Sequence, residues 1–154
     1  EPRLLDEDTF LYDERFYDID DDITPLVYNG HVYGIFNFDE LDLENYDECK
    51  KYCEAVEGYL AVINDQTEND VIYQYLKEND REHTFFGYSD ENEEGNWEWT
   101  DGSSGDYENW AEGQPNNKNG DEDYAQFSGD DEGTWNDAEF GSGSWRILCE
   151  WDSE

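Results

Sequence analysis

After a turn signal at Asn29-Gly30, the segment from His31 to Phe38 alternates apolar with other residues, the two-residue period of a strand. Asn45 stands three residues before Glu48, the spacing of a helix N-cap and its reciprocal acid, and the helix it opens runs to Val56, with Gly58 as its stop. Leu60 to Ile63 reads as a short apolar strand. Asp65 and Glu68 repeat the capping pattern ahead of a second helix whose apolar face is Val71, Ile72, Tyr75 and Leu76. From Arg81 onward no helical period remains; Thr84 to Phe86, Asn96 to Trp99 and Trp145 to Trp151 are short aromatic strands separated by Gly, Asn and Asp. The stretch between Thr100 and Asp123 is too long for an ordinary connection and rich in side-chain oxygens, so it reads as a functional loop. Residues 1–26 mix acids with aromatic pairs such as Phe16-Tyr17 and keep no clear period. They are expected to form an acidic N-terminal extension carrying one strand, ahead of a domain over 27–154.

Composition changes this picture in two ways. Of 154 residues only 35% are hydrophobic but 17% are aromatic, so the core is expected to consist of rings more than aliphatic chains. The net charge of −36, from 44 acidic against 8 basic residues, leaves no Lys/Arg cluster to follow a phosphate backbone and makes nucleic acid and anionic membranes poor partners. Such charge keeps a secreted or salt-adapted protein soluble. It also gathers counterions, of which calcium is the one that oxygen ligands capture at a folded site. The chain has no initiator Met, signal-peptide pattern or apolar run near membrane-span length, which reads as a processed or excised piece with no direct membrane insertion.

Several runs carry chemistry in combination: Asn109-Trp110-Ala111-Glu112-Gly113-Gln114-Pro115-Asn116-Asn117, then Asp121-Glu122-Asp123, then Trp135-Asn136-Asp137. With Cys53 to Leu60, Phe85-Phe86-Gly87-Tyr88 and Leu148-Cys149-Glu150-Trp151, they resemble the C-type lectin family over residues 28 to 151. The resemblance implies an α+β, C-type lectin-like fold with two helices, small antiparallel sheets and a long calcium-binding loop. It implies a Cys53–Cys149 disulfide and hence a place outside the cytosol, secreted or on a cell surface, as part of a larger protein. Trp97, Trp99 and Trp110 fall on the family's framework aromatics and are expected in the core. Tyr124 stands where a cysteine of the family's second disulfide is expected, and Cys49 is left over, as a buried thiol or an intermolecular link. The single disulfide and the Asn-Gly-His start resemble bacterial members.

The resemblance maps the ligand-binding calcium onto Gln114, Asn116, Glu122, Asn136 and Asp137, each carrying a side-chain oxygen suited to a hard cation. It maps a second calcium onto Asp90, Glu94, Asn117 and Asp123, with Glu122 shared, and it implies a cis bond at Pro115. One or two calcium ions are therefore expected. Two carboxylates and three amides balance a divalent ion, so Gln114 should hold calcium less tightly than the Glu of mannose-type relatives. An EF-hand beginning at Asp90 is the competing reading, but Trp97-Glu98-Trp99 continues as a strand and Asp101 takes the place of its closing Glu.

The implied function is calcium-dependent carbohydrate binding, the ligand touching Gln114, Asn116, Glu122 and Asn136. Gln-Pro-Asn lies between the mannose-type and galactose-type patterns, and Lys118 stands where galactose binders place a stacking aromatic. Three amide NH₂ groups against one main acceptor, Glu122, favour a ligand that accepts, such as a sugar carboxylate. The alternative is a calcium-stabilised module that binds a protein or ice surface. No enzyme is expected: paired carboxylates are uninformative among so many acids, and His31 and His83 flank no nucleophile or zinc spacing, so each reads as an ordinary strand or loop residue.

Overall fold

The computed structural model describes residues 3–4, 14–16, 24–101, 107–117, 120, 122–128, 133–140 and 146–152. Its elements are β1 (Arg3–Leu4), β2 (Leu26–Tyr28), β3 (His31–Asn37), α1 (Tyr46–Ala55), β4 (Tyr59–Leu60), α2 (Gln66–Glu78), β5 (Phe85–Ser89), β6 (Glu98–Trp99), β7 (Tyr124–Phe127), β8 (Trp135–Ala138) and β9 (Arg146–Asp152). Both capping patterns are formed. Asn45 accepts the Glu48 N–H at 2.9 Å and Asp65 accepts the Glu68 N–H at 2.8 Å, while each Glu reaches back to the N–H before the cap, of Glu44 and of Asn64, at 2.6 Å.

The small antiparallel sheets expected from the sequence give way to one mixed sheet. Among the described residues it has nine strands in the order β1-β2-β3-β9-β5-β7-β8, with β4 added on β9 and β6 on β5. The join is β9, antiparallel to β3 over seven residue pairs and parallel to β5 at Phe85↔Ile147. Strand β9 can sit centrally because Ile147 to Trp151 are all buried. The alternation of its neighbours feeds two cores on opposite faces. Tyr33, Ile35, Phe86 and Leu148 join α2 residues Ile72, Tyr73, Tyr75 and Leu76 on one side. Val32, Phe36, Phe85, Ile147, Cys149 and Trp151 join α1 residues Tyr46, Cys49 and Cys53 on the other. Both cores are ring-rich: Trp135, Trp151, Tyr33 and six phenylalanines head the fully buried side chains.

Three departures follow from local physics. The α1 stop is not Gly58 itself: Glu57 takes the left-handed conformation at φ 69°, and Gly58 N–H closes on Cys53 O at 2.8 Å. Glycine is needed next because a Cβ at Gly58 would lie 2.8 Å from both the Glu150 carbonyl and the Trp151 indole nitrogen. Leu60 to Ile63 is a strand only over Tyr59–Leu60. The boundary drawn between 26 and 27 falls inside β2, and the described parts of the extension pack on the rest: β1 pairs with β2, and the Phe16 ring meets Trp151 edge-on at 4.8 Å.

The expected Cys53–Cys149 disulfide is not formed. Cys49, Cys53 and Cys149 are free, buried thiols. Cys53 and Cys149 are neighbours, and burial, followed by the Cys53 thiol, holds Cys149 well above the usual thiol range. Burial pushes Cys49 up to about 12, and its burial agrees with the buried-thiol reading. Where the family's second disulfide is expected, rings pack instead, with Tyr46 and Tyr124 centroids 4.6 Å apart.

Candidate metal centre

The long loop is tied to the sheet near its middle. Trp110 bridges to Trp135, with the Ala111 N–H on Trp135 O at 2.8 Å and the Trp135 N–H on Asn109 O at 2.9 Å. Trp135 is fully buried, and its indole N–H donates to Asn69 Oδ1 at 2.9 Å. The Asn69 amide in turn donates to Gly133 O at 2.9 Å, as does the Asn109 amide. Asn69 therefore fastens α2 to the segment that carries Asn136 and Asp137. It was missed in the sequence, although its spacing from Ile72, Tyr73 and Leu76 places it on the buried helix face. Trp99 is buried, and Trp97 and Trp110 lie half-buried against the same core, as the framework reading expects.

Within the loop, the Gln114–Pro115 bond is cis, as the resemblance implies. The two residues after it are clamped from below: Asp137, 1% exposed, accepts the Asn116 N–H on Oδ1 at 3.0 Å and the Asn117 N–H on Oδ2 at 2.6 Å. The Asn117 side chain accepts the Glu122 N–H at 3.2 Å, closing the loop on itself. The Asn136 amide donates to the Asp137 carbonyl at 3.0 Å, so one of the NH₂ hydrogens expected to face a ligand is used within the chain. Lys118 and Asp121 lie outside the described residues.

Two buried oxygens here have no hydrogen-bond partner, Gln114 Oε1 and Asp90 Oδ1. A buried acceptor left unmade costs about 1–3 kcal/mol, and a cation satisfies it without supplying a proton. Asp90, 2% exposed, is held by the Gly95 N–H on its other oxygen at 2.8 Å and by its own N–H on Asp123 O at 3.0 Å. The carboxylates of Asp90, Glu94 and Asp123 lie within 4.8 Å of one another. Burial, then the Glu94 and Asp123 carboxyls, push Asp90 up to about 7 against the opposing Gly95 N–H. Glu94 and Asp123 beside the buried, unpartnered Asp90 oxygen fit a hard divalent cation, and the unpartnered Gln114 amide oxygen is a donor of the same hard type. Glu122 is not among the three converging acids, and the Asn117 amide oxygen is engaged by the Glu122 N–H. The EF-hand reading fails: Glu98–Trp99 pairs with β5, at Tyr88↔Trp99 and Ser89↔Glu98.

Residues 42–151 match the family model described as Lectin C-type domain. Halomucin of Haloquadratum walsbyi is 34% identical over 128 residues, 71% of this chain and 1% of that protein. The low affinity immunoglobulin epsilon Fc receptor of Mus musculus is 38% identical over 56% of this chain and 24% of its own length, so the chain spans only a small part of these relatives. The alpha-N-acetylgalactosamine-specific lectin of Patiria pectinifera is 33% identical over 71% of this chain and 68% of its own. Among solved structures, the cow C-type carbohydrate-recognition domain of CD23, in the presence of GlcNAc2Man3 oligosaccharide, superposes with a TM-score of 0.67 at 25% identity, covering 82% of this chain and 92% of that one. Neither a bacterial-type membership nor the single disulfide finds support in these matches or in the fold.

Proposed function

The chain belongs to the C-type lectin domain family, and on that premise we propose that it binds a carbohydrate over a calcium ion held by the loop around cis-Pro115. The observation that carries the reading is the buried, unpartnered Gln114 Oε1 on a loop clamped by Asp137. Gln114, Asn116, Glu122, Asn136 and Asp137 would hold the ion, and Asp90, Glu94 and Asp123, with Asn117 beside them, a second. The ion supplies a positive centre on which ligand oxygens replace water. The chain's own residues fix the loop and present amide donors and the Glu122 carboxylate around it. The excess of amides favours a ligand with an acceptor group, such as a sugar carboxylate. The module acts outside the cell, secreted or at a surface, within a larger protein.

Calorimetric titration of calcium into chelator-treated protein, with melting followed in parallel, tests the reading. Wild type is expected to bind and gain stability, and Asn136→Ala with Asp137→Ala to lose one site. A glycan array run with and without chelator then tests the ligand, with chelator expected to abolish binding. Calcium binding without any chelator-sensitive glycan would overturn the carbohydrate reading in favour of protein recognition, the kind of binding named for the mouse Fc receptor relative.

A further inference from the structure

A second constellation lies away from the loop, where β3, β4 and β9 run side by side. Register builds it: His31 lies opposite Asp152, and Tyr59 opposite Glu150. Glu150 and Asp152 are two apart on β9 and share a face. His31 Nδ1 lies 2.8 Å from Glu150 Oε2 and 3.0 Å from Asp152 Oδ1. The Tyr59 hydroxyl lies 2.7 Å from each of those oxygens and 3.4 Å from the same ring nitrogen. Four heteroatoms of three types thus meet in one small volume. It has a closed floor and an open mouth: the Glu150 side chain is 2% exposed, His31 33% and Asp152 72%. The second Glu150 oxygen accepts the Val62 N–H at 3.1 Å, which fixes the carboxylate's orientation.

We propose that His31, Glu150 and Asp152, with Tyr59 as a neighbouring oxygen, form a site for a borderline divalent transition-metal ion, with zinc as the type. The donor set decides the class. Calcium takes oxygen ligands only, whereas zinc takes imidazole nitrogen and carboxylate oxygen together. Ligands at about 2.1 Å from a tetrahedral ion lie about 3.4 Å apart, so the separations of 2.7–3.0 Å need open by roughly half an ångström. The ring offers Nδ1 when its proton sits on Nε2, and the carboxylates neutralise the ion. The surrounding charge of −36 raises the local concentration of any cation. This role replaces the reading of His31 as an ordinary strand residue, and it does not rest on the lectin reading.

The test is calorimetric titration of zinc into the full chain with calcium saturating, for wild type, His31→Ala and Asp152→Asn, with cobalt as an absorbing substitute. Metal-free melting curves establish that each variant folds; Asp152→Asn, exposed and nearly isosteric, keeps the test open if His31→Ala does not. Wild type is expected to take up one zinc and to give visible cobalt absorption, and each variant to bind at least tenfold more weakly. Absence of saturable zinc uptake by wild type, or equal uptake by the variants, would overturn the site and leave an ion-paired clasp between strand ends.

Discussion

At the scale of single residues, Asp90 combines charge with burial at the proposed second ion. Its carboxyl is raised from 3.8 to about 7 in the folded chain. Below about pH 4 it is protonated whether folded or not; between there and about 7 the folded chain keeps a proton that the unfolded chain has released. Its contribution to stability is therefore present in acid and lost as pH rises through that window. Calcium-free protein is expected to melt at falling temperature from pH 4 to 7, and calcium to remove the decline near neutrality. Asp90→Asn should flatten the calcium-free profile and abolish the calcium response at its site. A profile as steep as wild type, followed by circular dichroism, would count against this role.

At the scale of elements, the end of α1 and the inner face of α2 make opposed predictions. Glu57→Gly relieves a left-handed residue and is expected to stabilise by about 0.5–1 kcal/mol, whereas Gly58→Ala drives a methyl into Glu150 and Trp151 and should cost about 1–3 kcal/mol. Urea denaturation of both reads the difference. Asn69→Ala leaves the buried Trp135 N–H unpaired, at a cost of about 1–3 kcal/mol. Because it frees β8 from α2, it should also weaken calcium binding at a distance, measurable by titration.

These elements show what the sequence could disclose. Both helices were legible because Asn45 and Asp65 cap them through contacts three residues long, and local contacts leave local patterns. The candidate set stands out in the sequence only as a combination, Gln114-Pro115-Asn116 with Asn136-Asp137; of its members the structure brings Asp137 under Asn116, and that they hold an ion is the proposal. Strands β7 and β8 were not read, since four residues with polar ligands among them carry little periodicity. The mixed sheet was not read either, because the parallel contact of Phe85 with Ile147 joins residues far apart in the chain. His31 was read as ordinary for the same reason: its partners are supplied by register with β9, which no spacing encodes.

At the scale of the whole molecule, 44 acidic side chains face 8 basic ones. With so few bases, most carboxylates have no cationic side chain to pair with, and their mutual repulsion opposes compactness. Raising monovalent salt from about 0.1 M to about 1 M shortens the screening length from about 10 Å to about 3 Å. The melting temperature is therefore expected to rise by several degrees, even with calcium held at saturation. A melting temperature independent of salt would show that the charge is already neutralised locally. The two cores, one on each face of a shared sheet, give the fold its cohesion against this repulsion, and α1 and α2 cover them separately.

The clamp of Asp137 on the backbone of Asn116 and Asn117 bears on how such a surface can change its taste. The loop's course is set by main-chain donors meeting a core carboxylate, and main-chain donors are the same whatever side chain stands above them. Gln114 and Asn116 are therefore expected to be exchangeable for their acids without redrawing the loop, each exchange changing the charge around the proposed ion together with the pattern of donors and acceptors shown to a ligand. If the proposed site is the binding site, its grammar is separate from its vocabulary: new specificities would be reached one amide or acid at a time, each on a loop that keeps its shape.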